Sequence, residues 1–487
     1  MGFKISDMWR APARSVPILN PFDRHGRVFF FSWMGFMLAF WAWYTFPPLL
    51  SVTIKKDLGL SSVEIANSNI VSLTSTLILR FAAGPLCDQF GSRRVFSVIL
   101  LLGSIPVGLA PLIKDASGLY VIRFFLGLLG ATFVPCLVWC TGWFDKNVVG
   151  TANALAGGWG NAGGGITYFI MPAVYDSLVH RFGHSPGRAW RITFVVPLVC
   201  LVACGLGLLF LCDDTPMGRW DERHQQVREN LASHGISGGS DDEMVTVSGG
   251  IADRAALATS ASDEEKAGDK SGGRVHAMND HEADISRTEA MEIAQGETVV
   301  KPTMKEAIGV ICSPHGLFHV ATYACSFGGE LAVNSILGAY YLKNFPHLGQ
   351  TSASNYAAIF GFLNFATRPL GGGWPMCSLL ILIGMLDPHN LGTFVGLMIL
   401  MAVFHEAGNG ANFALVPHVY PYANGILSGL TGAGGNTGGV VFAIIFRFMD
   451  GGTNYARAFW VIGVIHIALN LAVCWIPPLP KGQLGGR

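Results

Sequence analysis

Gly157 to Phe169 reads GGWGNAGGGITYF, and glycine fills six of its thirteen positions. The spacing G-x-G-x-x-G occurs in it at Gly158, Gly160 and Gly163. A dinucleotide-binding turn needs that spacing between a strand and a helix, in water, with an acidic ribose partner downstream. Here the glycines lie inside an apolar helical run with no strand before them. The bare backbone therefore reads as a surface for close helix contact, which small residues permit in lipid. Gly160 and Gly164 form G-x-x-x-G, and Gly157, Asn161 and Gly164 share one helix face at i, i+4 and i+7.

The stretch has a twin. Gly432 to Phe446 reads GAGGNTGGVVFAIIF. Aligning Asn161 with Asn436 matches Gly157, Gly160, Gly163 and Gly164 to Gly432, Gly435, Gly438 and Gly439. One copy falls on the fifth apolar span of the first half of the chain and the other on the fifth of the second. Two six-helix repeats related by an axis along the membrane normal would bring both to the centre.

The rest of the chain agrees with a membrane protein. It has 487 residues, 51% hydrophobic and only 13% charged, about half the charge of a soluble domain. A ~30 Å hydrocarbon core needs roughly 20 apolar residues per helix. Spans are expected at 28–50, 63–85, 95–112, 119–141, 148–175 and 192–211, then at 316–342, 352–372, 391–416, 423–448 and 456–476, with a weak one at 374–386. The fold expected is all-α, with two pseudo-symmetric six-helix halves at 28–212 and 306–477. A segment at 1–27 precedes them and a tail at 478–487 follows. Between the halves, 213–305 is rich in Asp, Glu, Ser, Gly and His and nearly free of aromatics, so it is expected to be a disordered cytoplasmic linker. Its Ser and Thr beside acids could take phosphate, whose charge would act electrostatically. Basic residues in the first segment, Arg93, Arg94 and Lys146 fall on one side, against Lys55, Lys56, Arg188 and Arg191 on the other. That balance favours a cytoplasmic N-terminus.

Net charge is zero, which gives no electrostatic case for nucleic acid. The ten cysteines are scattered through apolar stretches and make no metal-type cluster with His; they read as small core hydrophobes. No nucleophile–base constellation stands out, His405-Glu406 alone is not a metal site, and neither an enzyme nor a cofactor is expected.

A second doubled feature carries the chemistry. LILRFAAGPLCD puts Arg80 on the second span, and NFATRPLGGG puts Arg368 on the eighth, the equivalent position. Arg80 lies eight residues before Asp88, roughly 12 Å inward from the membrane edge. An arginine at that depth costs at least about 2.5–3.5 kcal/mol, and two facing one cavity repel. A bound anion offsets both; the competing reading pairs each arginine with a carboxylate, for which Glu330 and Glu406 are the main candidates. The guanidinium fork suits paired oxygens, Asn161 and Asn436 add neutral donors, and Phe40, Phe133, Tyr323 and Phe327 supply rings. A small, flat, weakly hydrated anion fits that set.

Other motifs carry a resemblance. GPLCDQFGSRR, Gly84 to Arg94, resembles the loop between helices two and three of the major facilitator superfamily. GGWGNAGGG and GAGGNTGG resemble the paired signatures of its nitrate/nitrite porter family. The stretches Val16–Phe40, Thr132–Lys146, Tyr323–Gly338 and Asn409–Gly425 look like fungal high-affinity nitrate transporters, so the similarity covers nearly the whole chain outside 213–305. The resemblance implies the major facilitator fold and a proton symporter in the plasma membrane that imports nitrate, and nitrite as well, by alternating access between its halves. It implies an anion held between Arg80 and Arg368, with Asn161, Asn436, Phe40, Phe133 and Tyr323 around it. Gly84, Asp88, Gly91, Arg93 and Arg94 would gate the cytoplasmic side. Arg123 matches the superfamily's fourth-helix arginine, which is more often structural than substrate-binding. Glu330, Glu406 and His405 are candidates for the proton carrier.

The sequence departs from the family after Arg368. GGGWPMCSLLILIGMLDPHN stands where a Gly-Gly motif, a basic loop and a full ninth helix belong. Trp374 to Leu386 is thirteen residues, about 20 Å of helix. Either the ninth helix is truly short, thinned or re-entrant, or a mis-spliced gene model has lost a piece. The intact flanks favour the second. A sugar or drug carrier is disfavoured by the core arginines. A non-transporting nitrate sensor or inactive paralogue stays open because of the short helix and the long linker.

Overall fold

The computed structural model describes residues 16–17, 20–144, 148–216, 218–222, 304–370, 375–420, 423–452 and 454–480. Most of the 1–27 segment, Lys146, the linker from 223 to 303 with its candidate phosphate sites, and the tail from 481 lie outside the described residues.

Among the described residues twelve helical spans follow in order. α1 is Arg24–Leu58, α2 Ser62–Phe90, α3 Ser92–Leu112 and α4 Ala116–Trp143. α5 comprises the consecutive segments Val149–Asn161 and Gly163–Asp176, and α6 is Pro186–Leu211. In the second half, α7 is Pro314–Asn344, α8 Gly349–Thr367, α9 Pro375–Leu386, α10 Leu391–Val419, α11 Asn424–Phe448 and α12 Tyr455–Val473. A two-turn helix, Met304–Ile311, precedes α7. Large apolar side chains are exposed on the outward faces, among them Phe81, Leu102, Phe125, Phe210, Phe365, Leu386 and Trp475. A water-soluble domain would bury such rings; lipid accepts them, so this is a multi-pass membrane protein.

Local signals set the ends. Ser61 and Glu64 form a reciprocal capping box at the start of α2, satisfying backbone N–H groups that the first turn leaves unpaired. Asp23 caps α1, and Ser313 caps α7 ahead of Pro314. Within α4, residues Gly127–Thr132 tighten to a 3-10 turn. There the Gly127 carbonyl accepts from Thr76 Oγ1 at 2.8 Å and the Gly130 carbonyl from Arg80 Nε at 2.8 Å. Both donors lie on α2, so the rewound turn is where α2 and α4 lock together.

The halves meet along two equivalent seams, α2 with α11 and α8 with α5. Polar contacts cross between the halves: at α5–α8, Trp159 donates to the Phe365 carbonyl at 3.2 Å and Thr351 to Asp176 at 2.7 Å; at α2–α11, Arg447 donates to Asn67 at 3.1 Å; and Tyr168 of α5 donates to the Asn334 carbonyl of α7 at 2.7 Å. Indole and ring stack at the first of these, with centroids 4.7 Å apart.

The ends of the first half are pinned by charge. On the face carrying Arg24, residues 213–216 run directly beneath the helices. Arg24 pairs with Asp213 at 2.7 Å, and Arg93 with Asp214 at 2.6 Å while donating to the Leu209 and Cys212 carbonyls. The Asp214 carbonyl accepts from the indoles of Trp139 and Trp143 on α4. Trp220 lies over Gly91, whose φ of +88° only glycine adopts without strain. Asp214 and Trp220, assigned from sequence to a disordered tether, are thus packed, while Asp213 and Asp221 hold Arg24 and Arg94 from more exposed positions. The composition of 213–305 hid this because its first ten residues differ in kind from the rest. On the opposite face Arg191 pairs with Asp57 at 2.6 Å.

α9 spans twelve residues, about 18 Å at the α-helical rise. Residues 371–374, where the Gly-Gly motif and basic loop between α8 and α9 would fall, lie outside the described residues. α9 packs on α12, with Gly384 close to the Ala456 carbonyl and the Trp460 backbone. Among the ten cysteines, Cys312 and Cys474 are exposed, Cys200 is half-buried and the rest are buried.

Candidate functional site

Both core arginines are buried at the centre of the bundle, Arg80 with no exposed surface and Arg368 at 2%. Arg80 donates through Nε to the Gly130 carbonyl and through Nη1 to the Gly432 carbonyl at 3.0 Å. Its Nη2 has no hydrogen-bond partner among the described residues, nor does any carboxylate pair with it there. Arg368 lies at the end of α8. Its Nη2 is 3.5 Å from the Tyr323 hydroxyl and 4.0 Å from Glu330 Oε2, and its Nε is unpartnered.

One ring sits between them. Phe327 has the Arg80 guanidinium carbon 5.0 Å from its centroid and that of Arg368 5.8 Å away. Phe133, Tyr323 and Phe327 lie nearly parallel, with centroids 4.9–6.1 Å apart and planes within 15° of each other. Arg80 also stands 4.9 Å from the Phe133 ring. Cation–π attraction is worth about 2 kcal/mol or more once desolvated, so the rings hold the charges in place without neutralising them. Phe413 closes the stack edge-on, 4.5 Å from Phe133 and 4.7 Å from Tyr323.

The doubled glycines are what let this cluster form, and they act crosswise. A β-carbon on Gly157 of α5 would come 2.9 Å from Arg368 Nη1; one on Gly432 of α11 would come 3.4 Å from Arg80 Cδ. Each repeat's signature therefore faces the other repeat's arginine. Three residues on, Gly160 meets the Phe36 ring of α1, while Gly435 meets Tyr323 and Phe327 of α7. Three further, Gly163 meets the Met37 carbonyl of α1 and Gly438 the Ala324 carbonyl of α7. Gly164 and Gly439 both turn toward α7, at Asn334 and Leu331.

The asparagines repeat too. Asn161 donates its amide to the Gly157 carbonyl at 2.9 Å, and Asn436 to the Gly432 carbonyl at 3.2 Å, each on its own helix. Sequence reasoning offered both as donors to an anion. The structure commits one N–H of each to the backbone, leaving one amide hydrogen and an unpartnered Oδ1. The Gly432 carbonyl accepts from both Asn436 and Arg80, so the asparagine fixes the carbonyl that fixes the arginine.

Of the expected rings, Phe133 and Tyr323 lie in the stack. Phe40 stands at its edge, with its centroid 6.5 Å from that of Phe327. The ring on α1 that repeats the role of Tyr323 and Phe327 is Phe36, 5.3 Å from Phe133. Aligning α1 with α7 through the glycines they receive would have identified it. Phe413 carried no such signal, being one apolar residue on an apolar helix.

The residues named as a gate divide into two groups. Gly84 allows α2 to cross the Gly425 carbonyl of α11, and the Asp88 carboxylate abuts Gly425 in the first turn of α11, where the helix dipole favours an anion. That group spans the halves. Gly91, Arg93 and Arg94 make no such crossing among these contacts and bind the segment after α6, on Trp220, Asp214 and Asp221. Arg123 is likewise internal, bound to Asn69 and the Ser68 carbonyl and stacked near Trp43 and Phe46. Among the described residues no three His, Cys, Asp or Glu side chains are placed to hold a metal ion.

The twelve spans among the described residues, with charged groups buried where the halves meet, define a membrane transporter of the major facilitator type. The family model "Major Facilitator Superfamily" matches residues 32–375. Among solved structures, a proton:xylose symporter, XylE, aligns over 92% of this chain and 95% of its own with a TM-score of 0.59 at 14% identity, which shows the shared fold. Elsinochrome transporter 1 of Elsinoe fawcettii is 32% identical, covering 97% of this chain and 96% of its own. High affinity nitrate transporter 2.5 of Arabidopsis thaliana is 28% identical over 93% of this chain and 80% of its own, and the nitrate/nitrite transporter NrtP of Nostoc punctiforme 26% over 95% and 94%. The chain belongs to the major facilitator superfamily and, within it, to the nitrate/nitrite porter family.

Proposed function

We propose that this transporter imports nitrate, and nitrite as well, across the plasma membrane by proton-coupled alternating access, with its N-terminus in the cytoplasm. The observation that carries this reading is the charge count around Phe327. Two guanidinium groups flank the ring, and one carboxylate, Glu330, stands beside Arg368. Among the described residues Arg80 hydrogen-bonds to carbonyl oxygens and pairs with no carboxylate. One positive charge is left over in a buried, ring-walled site, which suits one monovalent anion. Nitrate and nitrite are small, planar and weakly hydrated, able to lie against a ring while a guanidinium fork meets two oxygens. The names of the relatives from Arabidopsis thaliana and Nostoc punctiforme support the same cargo.

On this reading Arg80 and Arg368 bind the anion, Phe327, Phe133 and Tyr323 sandwich it, and Gly157 and Gly432 let the arginines approach. The seams at α2–α11 and α5–α8 would part in turn as the halves rock. The test is uptake of labelled nitrate at an inward proton gradient, in cells lacking their own carrier. Arg80→Ala should lower uptake by at least about 30-fold, the lower bound for truncating one partner of a buried charge interaction. Unchanged uptake in that variant would overturn the reading.

Elsinochrome is the competing cargo, favoured by the 32% identity to the transporter named for it. Competition separates the two: excess unlabelled nitrate blocks labelled nitrate uptake, whereas elsinochrome at the same concentration does not. The short α9 favours a third reading, a protein that binds nitrate without carrying it. Binding without uptake, with uptake regained when a family-like ninth helix is restored, would establish that one.

A further inference from the structure

The two halves differ in one respect that their symmetry does not require. The core of the second half holds a connected group of ionisable and amide side chains, all nearly without exposed surface. Glu330 on α7 is its centre. Oε1 accepts from the Asn364 amide of α8 at 2.8 Å and Oε2 from the Asn409 amide of α10 at 2.5 Å. Arg368 Nη2 stands 4.0 Å from Oε2. Glu406 of α10 accepts from Thr367, the neighbour of Arg368 in the chain, at 2.6 Å, and its Oε1 has no partner among the described residues. Gly329 leaves room beside Glu330 for two imidazoles, His405 of α10 and His466 of α12, whose rings are 5.9 Å apart. His405 Nε2 and both nitrogens of His466 are unpartnered among the described residues.

Ionisable groups at membrane depth are costly and mark pathways for ions or protons. The charged and titratable groups around Glu330 are Arg368 from α8, Glu406 and His405 from α10, His466 from α12, Tyr323 on its own helix, and Tyr44 and Tyr168 from the first half. Only one is a permanent cation, and it is also the group assigned above to the anion. We propose that Glu330 carries the coupling proton, because it and the transported anion compete for Arg368. This rests on the nitrate reading of the site.

The charges balance as follows. In the empty site Glu330 is a carboxylate and the counter-ion of Arg368, and the site holds one net positive charge. An entering nitrate takes the fork of Arg368. Glu330 then keeps two amide donors but loses its cation, and an uncompensated carboxylate at that depth takes one proton from water, converting –COO⁻ to –COOH. The loaded site again holds one net positive charge. Anion release on the other side returns Arg368 to Glu330, and the proton leaves. By linkage, the proton must tighten nitrate binding by the same factor as nitrate tightens proton binding. Glu406, with one oxygen on Thr367 and one unpartnered among the described residues, is the neighbour through which the proton passes.

The test uses the purified full chain in lipid nanodiscs, with sodium nitrate as probe and a pH indicator in weak buffer. Wild type should take up close to one proton per nitrate bound, and bind more tightly as pH falls from neutral to mildly acidic. Glu330→Gln should bind nitrate with no proton uptake and an affinity that no longer changes with pH. In vesicles it should exchange labelled for unlabelled nitrate but not accumulate it against a gradient. Proton uptake persisting in Glu330→Gln, or absent from a wild type that binds nitrate, would overturn the assignment while leaving the nitrate reading intact. No nitrate binding by wild type would overturn both. Where Glu330→Gln fails to fold, Glu330→Asp keeps a carboxyl and should move the pH midpoint of binding; an unmoved midpoint overturns the proposal.

Discussion

Gly157 and Gly432 occupy equivalent positions, yet they do not tolerate change equally. A methyl group on Gly157 would meet Arg368 Nη1 at 2.9 Å, whereas one on Gly432 would find Arg80 Cδ at 3.4 Å, close to ordinary van der Waals contact. Gly157→Ala should therefore raise the KM for nitrate several-fold, with Gly432→Ala within about twofold of wild type, in the same uptake assay. Equal effects would mean that the arginines move more freely than their contacts imply. The rings divide in the same manner. Phe327→Ala removes the surface between both guanidiniums and should weaken anion binding by roughly 10-fold, the worth of one or two cation–π contacts. Phe40→Ala, at the margin, should cost far less, as read by nitrate binding to purified protein. Much of this site is legible in the sequence because doubling marks it: Arg80 and Arg368, Asn161 and Asn436, and the glycines come in pairs. Phe413 is not legible, since it is a single apolar residue in an apolar helix and acquires meaning only from what packs beside it. The direction of the asparagine donors was equally hidden, because a side chain on a helix can turn back to its own i−4 carbonyl as readily as outward.

At the scale of elements, the segment after α6 shows where composition misleads. Averaged over 213–305, acids and glycines read as a tether. Its start, DDTPMGRW from Asp213, instead places the Asp214 side chain, 4% exposed, against Arg93, with the Asp214 carbonyl on two indoles. Removing that carboxylate leaves Arg93, itself mostly buried, without its counter-ion. Asp214→Ala should cost on the order of 3 kcal/mol, toward the low end for breaking a buried pair. It should be seen as a lowered midpoint of thermal unfolding in detergent, while Asp221→Ala, whose carboxylate is 67% exposed, changes little. Helix number and order among the described residues could be read from apolar run length alone. The 3-10 turn in α4 could not: its Gly-rich sequence permits close approach to α2, but which carbonyls turn outward is decided by Thr76 and Arg80 arriving from another helix.

For the molecule as a whole, α9 raises a question of sidedness. At twelve residues it is shorter than a ~30 Å hydrocarbon core requires, yet Asp387 just beyond its end accepts from Tyr340 and Asn344 near the end of α7. Gln350, a few residues past α7, in turn accepts from Thr53 of α1. This places His389 on the same face as Lys55. In a cysteine-free background, His389→Cys and Lys55→Cys should both react with a membrane-impermeant maleimide from one side of the membrane. Labelling from opposite sides would show that α9 fails to cross and that α10–α12 insert inverted. The pseudo-twofold relation of the halves was readable from the repeated signatures; that each signature serves the other half's arginine was not, because sequence pairs equivalent positions and only packing shows which ones touch.

The crossed pairing also bears on how the chain is made. Arg80 enters the membrane early, while Gly432, whose carbonyl it holds, follows 352 residues later. At ribosomal speeds of about 5–20 residues per second, that is a wait of roughly 20–70 s. For that interval a guanidinium lies at bilayer depth without its final cover, and the α11 groove that α2 will fill does not exist. The newborn first half therefore needs custody, by the insertion machinery or by water drawn in around Arg80, until the last helices are threaded.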